Sequence, residues 1–237
     1  MIIYNVNPCE IAVVIFFCEY FSSFVMMKNT ITMSNQDIIS YAKNKVSQNW
    51  GLAIVGSLVY AVITSIASML SIGVILVSGP LSLGYAYWSL FILRKDRFGV
   101  EHLFDGFKNF VNALVTYLLV ILLVFAWTLL LIVPGIIKAL AYSQAIFILA
   151  DEPETKGMDA LRKSEAMMKG NKTKYFLMGL LFLLLGIACI FTLGIGFLFL
   201  APVIQVSLAK FYDEVRRKYT GESIESEIDE IGTLEVE

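Results

Sequence analysis

The sequence predicts an all-α protein: a polytopic membrane helix bundle with six transmembrane helices as three hairpins, each preceded by an amphipathic cytoplasmic helix. Three observations carry this expectation. The 237-residue chain is 58% apolar with a mean hydropathy of +0.75, above the roughly half-apolar composition of soluble domains. Its apolar residues fall in three blocks. Gly51 to Leu93 carries no charge, Asn109 to Ala150 carries only Lys138, and Tyr175 to Ala209 carries none. A crossing needs about 20 apolar residues, so each block has the length of two. Lastly, 17 of the 18 Lys and Arg residues lie outside the blocks. The positive-inside rule then puts both termini and both long loops in the cytoplasm, with the protein in the cell (inner) membrane.

Residues 1–32 form an N-terminal extension that fits the plan poorly. Ile11 to Cys18 is apolar but Glu19 interrupts it, and no Lys or Arg precedes Lys28. A signal peptide begins with positive charge, so this segment is read either as an extra anchor or as residues ahead of a start at Met26, Met27 or Met33. The membrane domain spans 33–218. It opens with an amphipathic helix from Ser34 to Asn49, capped by Ser34 with Asp37 three residues on, and with Ile38, Tyr41, Ala42 and Val46 on one face. Trp50 marks the interface. Ala53, Ser57, Ala61 and Ser65 then give the first spanning helix a stripe of small residues, and Ser82, Ala86 and Ser89 do so for the second. Small residues let helices approach closely in lipid, so the first hairpin is expected at the centre of the bundle.

Arg94-Lys95-Asp96-Arg97 is an inside stop. Val100 to Phe110 is amphipathic, with Leu103, Phe104, Phe107 and Phe110 opposite Glu101, Asp105 and Lys108; such a helix is expected in the headgroup plane. The third spanning helix is apolar all round and is expected to face lipid. The fourth is expected from Pro134 to Ala150, before Asp151-Glu152-Pro153. Lys156 to Lys169 follows as a third cytoplasmic helix, with Ala160, Leu161, Ser164, Met167 and Met168 on one face. Its Arg162, Lys163 and Lys169, with Lys172 and Lys174 beyond, suit anionic headgroups at about 1 kcal/mol each. The third hairpin turns near Thr192 to Gly196, and Lys174 and Lys210 at its ends are expected to snorkel. Residues 219–237 read as a disordered cytoplasmic tail: Glu222 to Glu237 holds seven acids and no base, although Ile224, Ile228, Ile231 and Leu234 share a helical face. The order of elements and the prolines Pro80, Pro134 and Pro202 define three parallel repeats about an axis along the membrane normal.

Several runs resemble a bacterial integral membrane family, domain of unknown function 975. They are Leu130-Leu131-Ile132-Val133-Pro134-Gly135-Ile136-Ile137-Lys138, Tyr142-Ser143-Gln144-Ala145, Ile148 to Pro153, Gly79-Pro80-Leu81, Leu103 to Phe107, Ala160 to Ser164, Met168 to Lys172, Thr192 to Gly196 and Phe211-Tyr212. The resemblance covers about Asn49 to Tyr212 and departs from the family at Pro202-Val203, where an aromatic is expected after the proline. It implies an integral membrane protein and no assigned activity.

Few groups offer chemistry. Lys138 is the only charge in a spanning block, and a Lys at the bilayer centre costs about 2.5–3.5 kcal/mol. It lies only about 6 Å along a helix from Pro134. Two readings stand: it snorkels to the outer headgroups, or it forms a polar cluster with Tyr142 and Gln205 that binds a solute. Pro134 suits a helix first turn with Gly135 permitting close packing; Pro80 and Pro202 either mark outer turns or kink their helices. Cys9, Cys18 and Cys189 lack metal spacing, and Cys189 reads as an inert thiol. His102 is read as solvated. No catalytic, nucleotide or metal motif appears, and no Asp or Glu lies in a spanning block, which excludes an intramembrane aspartyl protease and a carboxylate proton relay. The expected function is non-enzymatic: membrane interaction, or binding of lipid or a protein partner through the amphipathic helices and acidic tail. No cofactor and no nucleic acid is expected. The alternative is a small-solute transporter or channel component with its site near the Pro-kinked outer helix halves.

Overall fold

A computed structural model describes residues 33–68, 73–95, 99–190 and 195–234. The readings made on residues 1–32, including Cys9 and Cys18, and on the outer turns at 69–72 and 191–194 lie outside those residues. The described elements are α1 (Asn35–Ser47), α2 (Trp50–Ser68), α3 (Gly73–Lys95), the 3-10 helix η1 (Val100–Asn109), α4 (Phe110–Leu130), α5 (Ile132–Tyr142), α6 (Ala145–Asp151), α7 (Gly157–Met167), α8 (Lys172–Ile190) and α9 (Ile195–Leu234).

The capping expected of Ser34 is present in full. Its hydroxyl accepts from the Gln36 amide at 3.3 Å, and its own amide donates to Asp37 Oδ2 at 3.2 Å. Ile38, Ala42 and Val46 then face inward. Each of the three short helices docks on the returning helix of the unit before it: η1 on α3 and α7 on α6, while α1 packs on α9 and closes the ring.

An asparagine frame underlies this repetition. Asn49, Asn109 and Asn171 immediately precede α2, α4 and α8. Counting back eleven, seven and three residues gives Ile38, Ala42 and Val46 in the first unit and Ala160, Ser164 and Met168 in the third, all buried. Counting forward seven gives Gly56, Thr116 and Met178, again buried. The same helical register therefore aims the same face of each unit inward.

η1 obeys a different period. At three residues per turn, side chains three apart stack. Leu103 and Gly106 form the buried face, His102, Asp105 and Lys108 form a polar ladder with 2.7 Å contacts, and Phe104, Phe107 and Phe110 are exposed. This corrects the expectation of one Leu-Phe face, because Leu103 separates from the phenylalanines. Gly106 lies against the Pro80 carbonyl and Gly84 against that of Leu103, so backbone meets backbone and a methyl group at either site would collide.

The centre of the bundle also differs from expectation. In Leu76–Arg94, 67% of the apolar window is buried, against 22% in Trp50–Ser68. Of these two helices only α3 is central. Half of the α2 stripe accounts for its limited contact: Ala53 and Ser57 pack inward, whereas Ala61 and Ser65 are exposed. The α4 helix presents Leu122, Phe125 and Leu129 outward, as its all-round apolarity predicted. Helix α9 continues to Leu234. The Ile224, Ile228, Ile231, Leu234 spacing suits that continuation, and extending a formed helix avoids a new nucleation cost.

Candidate functional site at the α5–α6 break

The expected fourth helix is broken in two. Ser143 and Gln144 separate α5 from α6, and Ser164 of α7 bridges the gap. Its hydroxyl donates to the Ala141 carbonyl at 2.7 Å and accepts from the Gln144 amide at 3.2 Å. A single side chain thus satisfies one backbone acceptor and one donor released by the break, which in a buried setting would otherwise cost about 1–3 kcal/mol each. The Ser143 hydroxyl bonds the Leu140 carbonyl at 2.8 Å and accepts from Gln144 Nε2 at 2.9 Å. Gln144 is fully buried, and its Oε1 lacks a hydrogen-bond partner.

Lys138 stands one turn above this break. Its Nζ lies 2.6 Å from Glu165 Oε1, the residue following Ser164, and only 13% of its side chain is exposed. The Trp127 and Tyr142 rings flank it with centroids at 5.5 and 5.6 Å, a geometry that stabilises a cation. Of the predicted cluster, Tyr142 is therefore brought to Lys138. Gln205 instead donates to the Tyr85 carbonyl at 3.4 Å. Glu165 was missed because its helix was read as a cytoplasmic surface element. The available signal was that Glu165 follows the inward Ser164 in an otherwise basic stretch.

The prolines occupy two kinds of place. Pro134 lies in the first turn of α5, and Gly135 packs against Thr128 of α4 so closely that a methyl group would clash. Pro80 and Pro202 lie inside α3 and α9 rather than at helix ends, which corrects the outer-turn reading. Of the basic residues expected at headgroups, Arg162 and Lys169 are exposed, whereas Lys172, Lys174 and Lys210 are buried. Lys174 donates to the Met33 carbonyl, while Lys210 pairs with Glu214 at 2.8 Å and lies over Tyr41 at 4.5 Å.

A second charged group ties the ends of α3 and α6 to α9. Arg94 reaches Asp151 at 2.6 Å and Asp213 at 2.5 Å; Arg216 adds a 2.8 Å contact to Asp151, and the Tyr212 hydroxyl donates to the same carboxylate at 3.0 Å. Burial and the adjacent Asp151 carboxylate push the Tyr212 phenol well above its ordinary range, so it stays a donor. In the sequence Arg94 reads as part of an inside stop and Asp151 as the residue that follows the fourth helix. The alternation of sign, Arg94 in one unit and Asp151 and Asp213 in the others, was the available clue. Among the described residues, no group of three His, Cys, Asp or Glu is placed to hold a metal ion.

Among the described residues, five helical stretches are long and apolar enough to cross a membrane, which defines an all-α protein with multiple candidate membrane spans. Residues 128–219 match the family described as "Protein of unknown function (DUF975)". That segment contains the break, Lys138, Ser164, Glu165, Asp151 and Asp213. No curated protein and no solved structure matches the chain.

Proposed function

We propose that this is a six-crossing inner-membrane protein, with both termini cytoplasmic, that acts without catalysis by binding lipids and a membrane or cytoplasmic protein partner. The first part of α9 supplies the sixth crossing. The observation that supports this reading is the use made of charge: Lys138 is closed on Glu165, and Arg94 on Asp151 and Asp213. These groups clamp helices together, while large apolar side chains of α4 and α8 cover the outside. Crosslinking followed by pull-down from native membranes is expected to recover a stoichiometric protein partner. Solute flux in proteoliposomes, with no partner recovered, overturns the proposal. Topology has its own test: a cysteine at Ser71 or Thr192 should react from outside, and reaction only from inside reverses the assignment.

A second reading, transport of a small solute, has one observation in its favour. Broken helices line substrate sites in transporters, and the α5–α6 break presents an unpartnered Gln144 Oε1. Flux abolished by Gln144→Leu in a folded protein would select this reading.

A further inference from the structure

An apolar groove of about 410 Å³ runs between α1 and the α8–α9 pair. Ile39, Lys43 and Trp50 contribute from one side, and Ala188, Phe199 and Val203 from the other. Trp50 meets Phe199 edge to face at 5.4 Å between centroids. Lys43 is the only charged residue in the lining and is exposed. We infer that this groove binds one acyl chain of an anionic glycerophospholipid, whose phosphate is held by Lys43.

The argument is one of complementarity. An acyl chain in bilayer already has apolar neighbours, so an apolar groove alone selects no lipid; packing and headgroup contacts must provide selectivity. A lone ammonium beside an otherwise apolar channel supplies that contact for a phosphate bearing net negative charge, and much less for a zwitterion. Trp50 lies at the start of α2, where an indole suits the boundary between headgroups and chains. The groove volume also falls within the range of about 300–1,000 Å³ common for small-molecule sites. Lys43 further differs from the charges described above: Lys138, Lys210 and Arg94 are spent on carboxylates within the bundle, whereas Lys43 is presented at the groove.

This inference rests on the lipid-binding part of the proposed function and identifies the lipid. Its test uses the full-length protein in vesicles holding equal low mole fractions of brominated phosphatidylglycerol or brominated phosphatidylcholine. Bromine quenches nearby indoles, and loss of the lipid-dependent signal in Trp50→Phe assigns it to the groove. One lysine near the surface corresponds to about a fivefold preference for the anionic lipid at Trp50. Lys43→Gln should abolish that preference, and Ala188→Phe, which fills the groove with no new indole and leaves the lysine, should lower occupancy by both lipids. Equal quenching by the two lipids in the unsubstituted protein overturns the inference, as does a preference that survives both substitutions. A changed oligomeric state in Ala188→Phe with unaltered quenching assigns the groove to a second copy instead. None of these outcomes depends on recovery of a protein partner or on solute flux, so the broader proposal stands or falls separately.

Discussion

The two charged groups of the bundle solve the same problem in different ways. Lys138 and Glu165 form a single pair beside a helix break, with two rings completing the cation's surroundings. The other group is a network: Asp151 receives Arg94, Arg216 and Tyr212, and Arg94 also engages Asp213. The pair has Lys172 close enough to act on both members, and Glu165 is about a third exposed, so water can reach it. The network is redundant in cations but depends on one acceptor, Asp151, which is only 9% exposed. The difference predicts that damage at the network depends strongly on which member is lost, whereas the two members of the pair are nearly equivalent.

The largest effect should come from Asp151→Ala. It leaves Arg216 and the Tyr212 hydroxyl without their carboxylate while Arg94 keeps Asp213, and because both guanidinium groups are partly exposed the loss is about 2–3 kcal/mol, below that of a fully buried pair. Melting and denaturant titration of the purified protein should show a loss of that order. A loss no larger than that of a surface substitution would mean that Asp213 alone anchors Arg94, and the comparison would collapse. Next is Ser164→Ala, which removes the hydroxyl bridging the break. Loss of both bonds predicts about 1–3 kcal/mol, and Ser164→Thr, which keeps the hydroxyl, should recover most of it. If alanine is neutral, the break is held by other contacts.

How far the sequence disclosed this arrangement follows from the range of the interactions. Local chemistry was legible: the Ser34–Asp37 capping box and the approach of Tyr142 to Lys138 both arise within about one turn of helix. The docking of the short helices was not. Hydropathy treats α2 and α3 alike, yet only α3 is central, because η1 and its Gly106 need the glycine at position 84 to approach the backbone. Reading η1 at 3.6 residues per turn merged Leu103 with the phenylalanines, and reading α7 as a surface helix hid Ser164 and Glu165. Gln205 was assigned to Lys138 by analogy between units, and the approach of α9 to α3 sends it to Tyr85 instead.

The network's redundancy is tested by Arg216→Ala. Arg94 still contacts Asp151 and Tyr212 still donates to it, and the Arg216 side chain is 40% exposed, so solvent screening reduces the loss to about 0.5 kcal/mol. A fall comparable to Asp151→Ala would show that the cations are not interchangeable.

The pair offers the finest comparison. Lys138→Met leaves Glu165 without its cation, and Glu165→Gln leaves Lys138 without its anion; each should cost about 1 kcal/mol, because Glu165 remains reachable by water. The double variant Lys138→Met, Glu165→Met should be at least as stable as either single one, since replacing both members with apolar groups removes the desolvation cost together with the attraction. That outcome identifies the pair as a structural clamp. If the double variant is stable but the phenotype of the host is lost, Lys138 carries a role beyond holding α5 against α7, and the solute-binding reading of this region gains ground over the clamp.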